Sequence, residues 1–197
     1  MTQNYSPYKQ QLIEGVVTSQ RGRRVYIGPT DPISDLPVVI DYEHHQLHEG
    51  ETHQYTYAPA ALSSGSSVLF RIVVANVTGT TQTPHFIFAV DATAETWSYI
   101  YESPTVTGNG TQQTALNRNR NSANTPTTTI WLNPTVSANG TLMSSWILGS
   151  GTLAGGQTRD ALEWDLKTNT TYLIVVTAKA ASDDICIRLV WYEDLGT

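Results

Sequence analysis

The sequence is poor in cysteine and in long apolar runs. Cys186 is the single cysteine among 197 residues, which excludes intramolecular disulfides and cysteine-rich zinc or iron–sulfur sites. No apolar run reaches the roughly 18 residues of a transmembrane helix. The polar start of the chain lacks the charged-then-apolar layout of a signal peptide. We therefore expect synthesis in the cytosol and no membrane partner.

Charge is also scarce. Only 14% of the residues are charged, against roughly 25% in a typical domain. The net charge of -6 argues against a nucleic-acid partner, because general nucleic-acid binders need a basic face. The exception is the segment 1–24, where Lys9, Arg21, Arg23 and Arg24 outnumber Glu14 and give a local charge of +3, leaving -9 on the remainder. The amino end is therefore electrostatically distinct.

Threonine is abundant instead, with 28 copies against three of lysine. Such a composition suits pleated sheets and suits helices poorly. Thr171–Ala178 and Ser67–Ala75 are apolar on both faces, which predicts central strands, and Asp160–Lys167 alternates as a strand with one buried face. Further predicted strands, separated by Gly, Pro and Asn turns, are Val38–His45, His53–Tyr57, His85–Val90, Thr96–Glu102, Thr111–Leu116, Thr127–Leu132, Leu142–Leu148 and Ile185–Glu193.

Strands at this spacing predict an all-β domain, a jelly-roll-like β-sandwich, over residues 31–197. Its core should contain aromatic strand residues that have apolar partners two positions away. These residues are Phe70, Trp164, Tyr172 and Trp191. Cys186 falls in a strongly apolar strand, which favours a small core side chain over a nucleophile.

The first 30 residues do not follow this scheme. They contain short apolar pairs and a basic cluster, and Gly28–Pro32 should interrupt regular structure. We predict an extended N-terminal arm over residues 1–30, with a disordered tail as the alternative. Because the arm cannot build a core of its own, we expect it to become ordered on a partner's surface. The residues expected to bind that partner are Leu12, Ile13, Val16, Val17, Arg21, Arg23 and Arg24.

An internal repeat is the most specific signal in the sequence. Ile100–Thr111 matches Ile130–Thr141 at an offset of 30, and each copy contains Pro-Thr-Val followed by Asn-Gly-Thr. Asn-Gly is the pair that best tolerates positive φ at both centres of a tight hairpin turn. We therefore predict two equivalent β-hairpins side by side on one exposed edge that serves an interface. The turn residues expected there are Asn109, Gly110, Asn139 and Gly140.

Histidine and carboxylate side chains are concentrated in Asp41–His53. On a strand His44 and His48 would lie roughly 13 Å apart at about 3.3 Å per residue, too far for one tetrahedral metal ion unless the chain turns between them. We therefore favour a polar strand end whose imidazoles, including His45 and His53, are hydrogen-bonded. The sequence contains no Gly-rich phosphate loop, Gly-x-Ser-x-Gly elbow or His-Glu-x-x-His motif. We expect no enzyme activity, no metal and no cofactor.

Four motifs occur in a fixed order along the chain: Tyr42–Gly50, the paired Pro-Thr-Val-x-x-Asn-Gly-Thr segments, Arg120–Asn124 and Leu189–Glu193. Together they resemble a family of small virion proteins encoded by tailed bacteriophages, and the resemblance covers residues 38–194. It implies a capsid decoration, or cement, protein with a β-sandwich or jelly-roll fold. Such a protein forms a homotrimer and binds the phage major capsid protein on the outer capsid surface of the virion. No catalytic residues come with the resemblance.

Two other functions stay open beside this leading hypothesis. A carbohydrate-binding or adhesion module of a phage head fibre or tail is indicated by three candidate exposed aromatic residues, Trp97, Trp131 and Trp146. A metal-dependent enzyme built on a β-barrel is indicated only by the histidine cluster.

Overall fold

Strands account for most of the residues that the structure describes, as the composition predicts. In the computed structural model the described residues are 16–18, 24–30, 37–40, 42–75, 83–149 and 163–193. The chain divides into two compact units, Met1–Glu49 and Gly50–Thr197. The elements in chain order are β1 (Val16–Thr18), β2 (Arg24–Thr30), β3 (Pro37–Ile40), α1 (Tyr42–Glu49), β4 (Thr52–Tyr57), β5 (Ser67–Val74), β6 (Pro84–Ala92), β7 (Thr96–Glu102), β8 (Thr105–Gly108), β9 (Thr111–Gln113), β10 (Leu116–Asn117), β11 (Thr129–Leu132), β12 (Thr135–Ala138), β13 (Thr141–Leu148), β14 (Glu163–Asp165), β15 (Thr170–Ala178) and β16 (Ile185–Glu193).

The N-terminal unit contains paired strands within the segment expected to form an arm. β2 pairs antiparallel with β1 and with β3. β2 continues through Gly28 and Pro29 to Thr30, because its register with β3 shifts between Ile27 and Thr30, and such irregularities are where a strand accommodates proline. Within the described residues, the interruption expected over Gly28–Pro32 takes the form of this register shift, and residues 31–32 lie outside them. The compact units divide after residue 49, and the bounds of an arm over residues 1–30 and a domain over residues 31–197 stay a prediction.

The histidine-rich segment also differs from its prediction. The sequence predicts a strand over Val38–His45, but β3 ends at Ile40 and α1 begins at Tyr42. After Ile40 the chain has no β-branched residue until Thr52, and it contains Glu, Gln and Leu, which are good helix formers. The local preference for a helix therefore outweighs the predicted continuation of the strand, and residues four positions apart lie on one face of the helix.

The second unit is a sandwich of two antiparallel sheets. Their strand orders are β10-β4-β16-β6-β14 and β13-β7-β15-β5-β11-β9. The neighbours β4-β16-β6-β14 in one sheet and β5-β15-β7-β13 in the other have the order of the two Greek keys of a jelly roll, which confirms the predicted fold. β5 and β15 lie at the centre of the six-stranded sheet, as their two apolar faces predict.

Aromatic side chains fill the space between the two sheets. Trp191, Phe70 and Tyr172 are at most 1% exposed, as predicted. Trp164 is only partly buried and packs against this core from the short edge strand β14. The core prediction is therefore confirmed for three of its residues, and Trp164 belongs to the rim.

A buried carboxylate joins the end of β16 to the start of β11. Glu193 is 3% exposed. It accepts hydrogen bonds from the backbone N–H groups of Thr127 (2.7 Å) and Thr128 (2.8 Å), from the Thr127 hydroxyl (2.6 Å) and from the Trp191 indole N–H (3.0 Å). Four donors offset the loss of water around the charge. Glu193 therefore fixes the chain where it enters the second copy of the repeat.

His53 is buried near this carboxylate. It is 1% exposed, and its ring centroid lies 5.8 Å from that of Trp191. Its Nδ1 has no hydrogen-bond partner within the described ranges. Burial lowers the pKa of His53 below its usual 6.5, and the negative charge of Glu193 opposes this shift only in part. The folded state therefore binds fewer protons than the unfolded state as the pH falls through this range.

We expect Trp191→Ala to lower the free energy of unfolding by about 3–5 kcal/mol, because it removes a fully buried aromatic side chain. Trp164→Ala should cost clearly less, since part of that ring already contacts water. Denaturant unfolding followed by circular dichroism measures both values. Equal losses would contradict the placement of Trp191 at the centre of the core and Trp164 at its rim.

We expect the free energy of unfolding to fall as the pH is lowered from 6.5, because unfolding lets His53 take up a proton that burial resists. His53→Gln removes this titration and should flatten the dependence down to roughly pH 5, above the range in which carboxylates titrate. Denaturant unfolding across this pH range tests the point, and an unchanged slope in His53→Gln would assign the effect to another group.

Candidate interaction surface

Alternation along β7 places three aromatic side chains on the outer face of the six-stranded sheet. Every second residue from Thr96 to Ile100 is buried in the sandwich, so Trp97, Tyr99 and Tyr101 point outward, and each is partly exposed. The rings of Tyr99 and Tyr101 are stacked, with centroids 6.0 Å apart and planes 24° apart. These three side chains form a row along the strand, named here the aromatic stripe.

Charged groups hold one end of the aromatic stripe. Lys179 Nζ lies 4.2 Å from the ring centroid of Trp97, which is a cation–π distance. The indole N–H of Trp97 donates to the Glu95 carboxylate at 2.8 Å. The orientation of this side chain is therefore fixed before any partner arrives, which reduces the entropy lost on binding.

The neighbouring edge strand β13 extends the apolar surface. Ile147 lies opposite Trp97 and Leu142 opposite Tyr101, and their side chains are 61% and 52% exposed. The eight residues Thr141–Leu148 contain no charge and no proline, although charge and proline are the usual devices that keep an edge strand from pairing with another chain. The aromatic stripe, Leu142 and Ile147 together form the β7–β13 surface.

The two copies of the repeat exchange strands instead of forming separate hairpins. β7, from the first copy, pairs with β13, from the second, while β11 pairs with β9 and β12 with β8. The strands on either side of each Asn-Gly turn are not neighbours in any sheet. The prediction of two side-by-side hairpins is therefore wrong. Each turn leads from the two-stranded β8–β12 ribbon into the six-stranded sheet.

An approximate two-fold relation links the two copies. Ser103 and Asn133 occupy the same repeat position, and both have positive φ (57° and 51°). Each donates its backbone N–H at 2.8 Å to a carbonyl of a central strand, Ser103 to Thr171 in β15 and Asn133 to Leu69 in β5. The β8–β12 ribbon has the same two-fold relation. Two equivalent hydroxyl-to-carbonyl hydrogen bonds of 3.3 Å cross it, from Thr107 to Thr135 and from Ser137 to Thr105.

Gly110 and Gly140 allow the two copies to cross. Both have positive φ (81° and 87°). A Cβ on Gly110 would overlap the carbonyl oxygen of Leu132, and one on Gly140 would overlap that of Glu102. Each turn therefore packs backbone to backbone against the bend of the other copy, a contact that requires glycine.

The four predicted turn residues are exposed, but they lie at opposite ends of the ribbon. Gly108 pairs with Thr135 while Ala138 pairs with Thr105, so the two turns point away from each other. The Arg71 guanidinium donates to Asn109 Oδ1 at 2.8 Å, which ties one turn to the outer face of the sheet. The structure does not bring Asn109 and Gly110 together with Asn139 and Gly140 into one patch.

The arm residues belong to the N-terminal unit, whereas the turns belong to the second. The arm residues that the structure places in strands are Val16 and Val17 in β1 and Arg24 at the start of β2. Those that lie outside the described residues are Leu12, Ile13, Arg21 and Arg23. That the arm binds a partner stays a prediction.

The sequence predicted three exposed tryptophan residues, but it did not predict that tyrosine and aliphatic side chains of the β7–β13 surface would be exposed beside one of them. Trp97 and Trp131 do lie on the outer face, partly exposed. Trp146 instead packs edge-on against Phe88, with centroids 4.9 Å apart, at the border of the core. The alternation in Thr96–Glu102 was the available signal, but it puts all three aromatic residues on one face and mostly polar residues on the other, so alternation alone predicts that the aromatic face is the buried one.

Side chains that could act in catalysis or bind a metal are dispersed over the part of the chain that the structure describes. Within it, no three His, Cys, Asp or Glu side chains converge as a metal-binding group. Cys186 alternates with the buried Ile185 and Ile187 and is partly exposed on the outer face of β16, so its expected place in the core is wrong. Among the same residues, no helix has both the length and the hydropathy needed to cross a membrane.

One polar cluster on the five-stranded sheet has a structural explanation. Glu163 lies 2.9 Å from His85 Nδ1 and accepts a 2.8 Å hydrogen bond from the Tyr192 hydroxyl. The rings of His85 and Tyr192 stack, with centroids 4.6 Å apart and planes 6° apart. These contacts fasten the three-residue strand β14 to β6 and β16.

Comparison of the chain with known protein families, with curated proteins and with solved structures finds no match. Information on function therefore comes from the residues of this chain. Their arrangement offers extended surfaces for contact with another macromolecule, and the β7–β13 surface holds two of the three large aliphatic side chains found exposed among the described residues.

We expect Gly110→Ala and Gly140→Ala each to destabilise the protein more than Gly65→Ala. All three glycines have positive φ, which costs an L-residue about 1–2 kcal/mol. A Cβ at Gly65 would meet nothing within 4 Å, whereas at the two repeat glycines it overlaps a carbonyl oxygen. Thermal unfolding of the three single variants measures the difference, and similar losses at all three positions would argue against the backbone contact.

Proposed function

We propose that this protein is a structural protein of a tailed-bacteriophage virion, a decoration or cement protein. It binds the major capsid protein on the outside of the capsid as a homotrimer, and it stabilises the lattice without catalysis or a cofactor. The motifs between Tyr42 and Glu193 that resemble phage virion proteins support the virion role. The β7–β13 surface is the observation that supports a binding role.

The chemistry of the β7–β13 surface is that of a protein interface. Interface cores are enriched in tryptophan and tyrosine and depleted of lysine and glutamate, and the surface holds Trp97, Tyr99 and Tyr101 beside two exposed aliphatic side chains. Anchors of this kind supply most of the binding energy in protein complexes. The main-chain groups along the edge of β13 add hydrogen-bonding capacity for a strand from another chain.

The β8–β12 ribbon suits the polar rim of such an interface. Its outward side chains are threonine and serine, with Thr105, Thr107, Thr135 and Ser137 all exposed. Hydroxyl groups contact polar surfaces through direct and water-mediated hydrogen bonds. A rigid sandwich that carries an apolar edge and a polar ribbon can cover a shallow seam between capsid subunits.

Mass spectrometry of purified virions tests the virion role. The proposal expects a copy number in a small-integer ratio to the major capsid protein. A copy number in the range of a tail component would reject decoration, and absence from virions would reject the proposal altogether.

We expect the double variant Leu142→Lys, Ile147→Lys to lose at least about tenfold in affinity for its partner, either capsid or sister subunit, because burying unpaired charges opposes association. Leu116→Lys is the matched control, since Leu116 is also an exposed aliphatic residue (51%) but lies on the other sheet. Co-sedimentation with capsids that lack the protein and light scattering of the free protein provide the two measurements. Loss of binding in the control alone would place the interface on the five-stranded sheet.

A second candidate, a carbohydrate-binding or adhesion module of a head fibre or tail, is favoured by the aromatic stripe alone. The fixed indole of Trp97 offers an amphipathic ring of the kind that recognises mixed polar and apolar ligands. Glycan arrays with the wild-type protein and Trp97→Ala separate the two functions. Specific glycan binding that is lost in Trp97→Ala, together with no affinity for capsids, would favour adhesion.

A further inference from the structure

Helix α1 brings together two imidazoles that a strand would hold far apart. His44 and His48 lie one helical turn apart, and their Nε2 atoms are separated by 2.9 Å. The ring centroids are 4.6 Å apart, with planes at 71°. Both residues are exposed. The strand spacing that argued against a metal site in the sequence therefore does not apply to this segment.

The separation of the two nitrogens matches the bite of a chelate. Two imidazole nitrogens that each lie about 2.1 Å from one ion are about 3.0 Å apart at a right angle and about 3.4 Å apart at the tetrahedral angle. The observed 2.9 Å is the length of a hydrogen bond in which one imidazole N–H donates to the ring nitrogen of the other histidine. An ion that replaces this shared proton requires the two nitrogens to move apart by only about 0.1–0.5 Å and the rings to turn toward it. Histidines at i and i+4 on one helix face hold zinc in metalloproteases with the same spacing.

We propose that His44 and His48 form a bidentate site for one late first-row divalent ion, of the class Ni²⁺, Cu²⁺ and Zn²⁺. Imidazole suits these ions, whereas Mg²⁺ and Ca²⁺ prefer oxygen ligands. The ion reaches the site from solvent, because both histidines are on the exposed side of the helix.

The neighbouring His45 provides a matched control on the same helix. It is partly buried, and its Nε2 lies 3.6 Å from the carboxylate of Glu49. On a helix it is turned about 100° away from His44. It has the same chemistry as the proposed ligands and lacks their geometry.

Calorimetric titration of the untagged full chain with NiCl₂ tests the site. We expect one Ni²⁺ per chain, and a loss of about 10²-fold in affinity in His44→Asn and in His48→Asn, because each variant converts a chelate into a single ligand. His45→Asn should leave the affinity unchanged, and MgCl₂ should give no binding. Unchanged Ni²⁺ affinity in the two ligand variants would overturn the proposal.

Electron paramagnetic resonance of the wild-type protein with one equivalent of Cu²⁺ gives an answer that does not depend on any variant folding. The proposal expects the hyperfine pattern of two bound imidazole nitrogens. A spectrum with one imidazole or none would overturn it, whatever the titrations show. Far-ultraviolet circular dichroism of each variant separates loss of a ligand from loss of the helix.

Discussion

The antiparallel pair β5–β15 is the interaction on which the second unit depends. Its inward side chains are almost fully buried, with Phe70, Ile72, Tyr172 and Ile174 at 0–1% exposure. Tyr172 pairs with Ile72 and Ile174 with Phe70, and these two pairs exchange under the two-fold relation of the repeat. β7 and β11 then flank the pair at equivalent positions, and β13 and β9 lie outside them. The repeat in the sequence is therefore the outer part of a symmetry whose centre is this buried pair.

Local signals predicted the strands but not their pairing. Thr96–Glu102 and Ile185–Glu193 were expected from alternation alone and occur with the same bounds, because a period of two is a property of the strand itself. Asn-Gly favours a hairpin locally. Gly110, however, packs against Leu132, which lies in the other copy. Which strand lies beside which is decided by such contacts between distant residues, and they leave no local pattern.

The prediction for helix α1 failed for a different reason, because the local sequence signal itself is weak. Around Tyr42–Glu49 the sequence has neither a clear helical nor a clear strand periodicity, since most of its residues are polar. A segment of this kind is assigned by weak propensities, and the strong strand signal of Val38–Ile40 carried the prediction too far. Assigning a strand instead of a helix changes which interactions His44 and His48 can make. The two histidines lie roughly 13 Å apart on a strand, whereas their Nε2 atoms are 2.9 Å apart on the helix.

The edges of the sandwich explain why the β7–β13 surface is a place for association. Three edge strands are short: β10 has two residues, and β9 and β14 have three each. Short edges are a usual protection against pairing with other chains. β13 is an eight-residue edge with exposed Leu142 and Ile147 and no charge. Among the strands that the structure describes, this edge alone is long and apolar, and such an edge carries an aggregation hazard unless something covers it. The contrast between the edges therefore favours an interface here more strongly than the hydrophobicity of any single residue does.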